Sequence, residues 1–328
     1  MMNIPLFKKL HTEGLISDKS LAQAEAHEAG RLFSLFRELR LLLYLGVLLL
    51  TGGLGIVVYK NIDTIGHQAV LAFIALITVG SFYYCLRKRT AFDWDKVEAP
   101  NSIFDYILLL GCLSLLIFLG YWQYQYDIFG NNYGLAVFIP MVILFIAAYY
   151  FDHLGVLSLA ITNLAAWAGL SITPLTLIKE NGFTDHRLIF TGMLLGGILL
   201  AFGRLTTQRR IKAHFETTYT NFGLHLFFVA AFAGLFTYDE VYLLWFAGLA
   251  GIASFLCVQA IRRRSFYFVL MIVLYTYIGL CYTVLRLLLK GLQDDTIALG
   301  LLWLGLSAFG VAMFLIHLNR KIHSNDSL

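Results

Sequence analysis

Charge is the scarcest commodity in this sequence. Only 13% of its 328 residues are Asp, Glu, Lys or Arg, while 59% are apolar. A soluble chain of this length needs more charge to cover its surface, so that class is excluded. Cysteine is scarce too. Cys85, Cys112, Cys257 and Cys281 lie far apart, each inside an apolar run, with no CxxC pair. That excludes a disulfide framework or thiolate metal site and reads them as small apolar residues. The histidines have no zinc-motif spacing, and HExxH, GxSxG, P-loop and Asp-rich metal motifs are missing. No catalytic residue, metal ligand, cofactor or nucleic-acid partner is therefore expected. The polar first forty residues, with no cleavage site after the first apolar run, argue against a removable signal peptide.

What is present is a series of apolar runs long enough to cross a hydrocarbon layer of about 30 Å. Ten candidate spans cover 41–59, 69–86, 103–122, 133–151, 154–178, 188–203, 222–237, 241–261, 265–289 and 296–317. The sixth and seventh are the shortest. The expected fold is all-α, a polytopic helical bundle. It divides into residues 1–40 as a cytoplasmic amphipathic helical hairpin, 41–318 as the transmembrane domain, and 319–328 as a cytoplasmic tail. Very short links at Asp152-His153 and Tyr238-Asp239-Glu240 can join only antiparallel neighbours, so those pairs are hairpins.

Basic residues set the orientation. With ten spans, nineteen Lys and Arg fall in segments on the side of the N-terminus and four in segments on the other side. Both termini are therefore predicted to be cytoplasmic. The opposite side collects acids, among them the pairs Asp239-Glu240 and Asp294-Asp295. Membrane lipids are the expected surroundings.

The N-terminal segment carries helix punctuation. Gly14 suits a helix C-terminus, Ser17 an N-cap, and Asp18 a first turn. Ala22, Ala26, Ala29, Phe33 and Phe36 then make one apolar stripe. This is either a module that docks on a cytoplasmic protein through residues 1–40 or an amphipathic lead-in lying on the inner leaflet.

Two stretches together resemble a known family. They are LHTEGLISDKSLAQAEA at 10–26 and LGVLLLTGGLGIVVYKNIDTIGHQAVLAFIALI at 45–77. Their order is a GLI-S hairpin, a Gly-rich span, an Asn-containing corner and a second span. This is similar to the bacterial predicted membrane proteins of domain of unknown function family 2157. Many members carry Asn-Trp-Asp at the corner, where this chain has Asn61-Ile62-Asp63. The resemblance implies a multi-pass protein of the bacterial inner membrane and supplies no mechanism.

Polar groups inside the spans are few. Thr162-Asn163 in span five is the most polar midplane feature, either lining a path or bonding between helices. Asn61 and Asp63 are the other binding candidates, against a structural role in capping the turn. Small-residue pairs at packing distance are Thr51/Gly55, Gly192/Gly196, Ala247/Gly251 and Ala250/Ser254. Three function classes stay open. One is a non-enzymatic scaffold or sensor with a cytoplasmic interaction segment. The second is a transporter or lipid-handling protein with an uncharged polar path near Asn163. The third is a membrane-embedded transferase using Asp239, Glu240, Asp294 and Asp295.

Overall fold

The computed structural model describes residues 10–18, 20, 36–130, 132–172, 185–289 and 294–324. For 36–40, 57–59, 61–65, 133, 289, 294–299 and 321–324 it describes the backbone alone. The stripe residues Ala22, Ala26, Ala29 and Phe33 lie outside the described residues. The chain divides into two compact units, Met1–Gly66 and His67–Leu328.

In the first unit, helical residues 10–12 end at Gly14, which takes φ +72°. The Leu15 amide donates to Leu10 O and the Gly14 amide to His11 O, which is the Schellman closure that glycine favours. Ser17 Oγ accepts from the Ser20 amide at 3.3 Å, as an N-cap does. His11 Nε2 lies 2.6 Å from Asp18 Oδ1 across the turn. Helix α1 (Phe36–Ile65) follows, with an apolar segment at Leu41–Ile56.

Here the structure corrects the sequence reading. Lys60, Asn61 and Asp63 are not a corner. They continue α1, and the chain breaks at Gly66, φ +84°. Only glycine enters that region without a Cβ clash, so the glycine rather than the polar residues sets the turn.

The second unit contains α2 (His67–Lys88), α3 (Ser102–Tyr126), α4 (Tyr133–Phe151), α5 (Leu154–Ile172) and α6 (His186–Arg209). After a 3-10 turn at Ala213–Phe215 come α7 (Glu216–Thr237), α8 (Tyr242–Arg262), α9 (Phe266–Leu289) and α10 (Asp294–Ser324). Among the described residues, nine helices are long and apolar enough to cross a membrane. The chain is a multi-pass α-helical membrane protein. Spans six and seven are not brief. Their helices, α6 and α7, have 24 and 22 residues. Each runs past its apolar stretch into residues such as Arg204, Thr206, Glu216 and Thr220, which hydropathy alone discards.

Neighbours in sequence pack as hairpins α2/α3, α4/α5, α6/α7 and α8/α9. Lipid tails are as apolar as leucine, so burial alone does not drive this packing; close approach must. Between α6 and α7 glycines supply it. A Cβ on Gly196 would lie 2.7 Å from the Phe227 amide nitrogen, and one on Gly223 3.0 Å from Gly196 O. The Gly192/Gly196 pair is thus a packing motif in use. Gly55 and Gly251 face open space instead. Thr51 and Ser254 each bond a carbonyl of their own helix. One apolar core centres on α3, α4 and α5, with Cys85 and Cys112 buried in it as free thiols. A second joins α7, α8 and α9.

Candidate functional site

The densest polar cluster lies at the basic end of the second unit, where the α2–α3 segment, the α4–α5 turn and the α6–α7 turn meet. Its centre is Asp152. This residue ends α4 with φ 56°, its amide bonded to Ala148 O. Aspartate tolerates the left-handed region better than most residues with a Cβ, so a two-residue turn closes without glycine. His153 caps the next helix: its Nδ1 accepts from the Val156 amide at 3.1 Å. That bond puts the ring proton on Nε2, which faces Asp105 Oδ1 at 3.9 Å.

The Asp152 carboxylate gathers three donors. Lys212 Nζ is 3.0 Å from Oδ2, His214 Nε2 2.5 Å from Oδ1, and the Val97 amide 2.5 Å from Oδ2. The Asp152 and Lys212 side chains are 2% and 1% exposed, so this ion pair is out of bulk water. Lys212 also reaches the α2–α3 segment. Its Nζ donates to Asp95 O at 3.0 Å, its amide to Trp94 O at 2.9 Å, and its ammonium lies 5.2 Å from the Phe92 ring centre. Lys212 itself sits at φ 48°, a conformation that costs about 1–3 kcal/mol and persists where surroundings over-determine it. The Arg89 guanidinium stacks over Tyr150 at 4.5 Å, and Asn101 caps α3 through the Phe104 amide.

These contacts clamp segment 89–101, which has no regular structure, onto the ends of three helix pairs. Phe92 and Trp94 meet edge to face on its surface, 41% and 54% exposed. The cavity left beside Asp152 measures about 10 Å³, close to the minimum for one water. The Asp152 carboxylate is engaged by protein donors from two other linkers, which ties the three linkers together.

The sequence candidates lie elsewhere and do not converge with it. Thr162 Oγ1 donates to Ser158 O, and Asn163 Nδ2 to Leu159 O at 2.9 Å, both within α5. At the acidic end, Asp239 Oδ1 pairs with Arg286 Nη2 at 2.6 Å, and the guanidinium lies over Tyr242. Glu240 is exposed. The side chains of Asn61, Asp63, Asp294 and Asp295 lie outside those described. Among the described residues no three His, Cys, Asp or Glu side chains group as a metal site requires.

Residues 8–157 match the family of predicted membrane proteins called DUF2157. The match covers the GLI-S hairpin and α1 through the α4–α5 turn. It thus includes Asp152 and segment 89–101, while the DUF2157 region stops short of Lys212 and His214. No curated protein and no solved structure matches the chain. The sequence reading passed over the clamp because Asp152, Lys212 and His214 each sit in a different linker. One signal was available: two adjacent polar residues serving as an entire interhelical turn.

Proposed function

We propose that this protein is a non-enzymatic component of the bacterial inner membrane, with both termini in the cytoplasm, that presents a fixed cytoplasmic surface to a protein partner. The observation that supports it is the clamp. A buried ion pair is an unusual expense for a connecting loop, and here it holds Phe92 and Trp94 outward in a set geometry. Preordered aromatics lose little freedom on binding and are favoured anchors in interfaces. The segment 1–40, which the charge distribution predicts to be cytoplasmic, is a second candidate for contact with that partner. A polar path at Asn163 draws less support, since its amide is spent on its own helix. So does a transferase, since Asp239 is engaged by Arg286.

The test is photocrosslinking in cells, with a photoreactive amino acid at position 94 and, as a lipid-facing control, at position 301. A discrete protein adduct from position 94, weakened by Lys212→Met, is expected. Lipid adducts alone from position 94 would show that the aromatics anchor in the membrane surface and would refute the reading.

A further inference from the structure

The seam between the α6–α7 hairpin and α8 ends in a second basic feature, independent of the clamp. Arg204, on the last turns of α6, and Arg263, just beyond α8, line one crevice of about 40 Å³ together with Thr220 and Gln259. Its floor is apolar, from residues such as Leu200, Leu224 and Leu256. Glu216 pairs with Arg263 and accepts from Thr207 Oγ1. Among the described residues no acid pairs with Arg204, which is half-buried. Of the two guanidiniums, Arg263 therefore has a carboxylate partner and Arg204 has none among the described residues. Burial holds Arg263 below its ordinary pKa, and the Arg204 charge adds to that, so the opposite charge of an anion would favour the protonated form.

Phe268 and Ile272 of α9 complete the crevice, and farther along α6, α7 and α8 toward the acidic end lies a separate open groove of about 440 Å³. Phe190 and Met193 of α6, Phe227 and Ala231 of α7, and Trp245 and Gly248 of α8 line it. The groove has a built wall. Trp245 donates its indole N–H to Ala231 O at 2.8 Å and packs where a Cβ on Gly234 would lie 2.2 Å from its ring. Gly248, one turn farther along α8, faces nothing within 4 Å and leaves that stretch of the groove open. Arg204 and Met193 are eleven helical positions apart, about 16 Å at 1.5 Å per residue. That is close to one leaflet of a hydrocarbon core about 30 Å thick.

We infer that this seam is a binding site for an anionic phospholipid, its phosphate between Arg204 and Arg263 and one acyl chain running along the helices into the groove beside Gly248. Charge complementarity selects the headgroup: two guanidiniums against one carboxylate leave a net positive crevice, and arginine pairs phosphate oxygens two at a time. The apolar walls and their length select a lipid over a free anion.

The test is native mass spectrometry of the detergent-purified full chain, titrated separately with phosphatidylglycerol, phosphatidylcholine and inorganic phosphate. Retention of phosphatidylglycerol over phosphatidylcholine is expected. Arg204→Gln should weaken it about tenfold, the scale of losing one charge-assisted contact. Arg204→Lys keeps the charge but not the two-pronged geometry and should fall between. Gly248→Leu, which fills open space and should fold normally, is expected to weaken lipid retention while leaving inorganic phosphate unaffected. Equal retention of the two lipids, or Arg204→Gln retaining phosphatidylglycerol as the parent does, would overturn the assignment. Inorganic phosphate displacing the lipid at equal concentration would reduce the site to an anion crevice and overturn the acyl component. Failure here would leave the partner surface at Trp94 untouched.

Discussion

Replacing Lys212 by Met tests the central claim about the clamp. The change removes an ammonium from a side chain 1% exposed and leaves the Asp152 carboxylate, 2% exposed, with only His214 and the Val97 amide as partners. Met has similar length and the same Cβ, so the left-handed strain at φ 48° stays constant and drops out of the comparison. Breaking one side of a buried pair costs about 3–5 kcal/mol, because the remaining charge is stranded. The expected loss is in that range. Asp152→Asn should also destabilise, though less. The amide oxygen can still accept from Val97, asparagine tolerates the left-handed region, and Lys212 keeps Asp95 O and the Phe92 face. The double variant carries neither charge and should cost clearly less than the sum of the singles. Unfolding in mixed micelles titrated with dodecyl sulfate measures all four proteins. Amide hydrogen exchange provides a second readout, with Val97 and Lys212 losing protection in Lys212→Met. Single-variant costs below about 1 kcal/mol, the scale of a solvated surface pair, together with strict additivity, would refute the reasoning.

Two further outcomes follow from the packing. Gly196→Leu should push α7 away from α6, since its Cβ meets the Phe227 and Gly223 backbones rather than movable side-chain ends; a loss of about 1–3 kcal/mol is expected. Gly251→Leu, facing open space, should lie near zero, and equal effects at the two sites would sink the distinction. At the acidic end, Asp239→Asn should cost at most about 1 kcal/mol because Asp239 is 71% exposed. Arg286→Ala should cost more, since the guanidinium also bonds Tyr282 and lies over Tyr242. Thermal unfolding in detergent compares the two, and a larger loss from Asp239→Asn would reverse the ranking.

Part of this was legible in the residues themselves. Gly14 and Ser17 act as their types suggest, because a turn closed by a glycine φ or a serine oxygen is decided within a few residues. The polar run at Lys60, Asn61 and Asp63 misled for the same local reason. Polarity marks where a span leaves the apolar layer, whereas a helix stops where its backbone geometry does, at Gly66. The Schellman-type turns at Asp152, Arg210 and Arg264 had no glycine to announce them.

The sequence by itself determined the all-helical class, the order of apolar segments and the division into a basic and an acidic side. Each depends on a summed property, length times hydropathy or charge per linker, that neighbouring residues supply. Only the tertiary structure decided which of four small-residue pairs brings two helices together. The same holds for the fact that Asp152, Lys212 and Val97 form one cluster, and that Arg204 and Arg263 share a crevice. Those facts depend on distances between residues far apart in the chain, 59 positions for Arg204 and Arg263 and 115 for Val97 and Lys212. Such distances follow from how hairpins rotate about their axes and settle against one another. Hydrophobic periodicity says little about that rotation when lipid, as apolar as the core, surrounds every face.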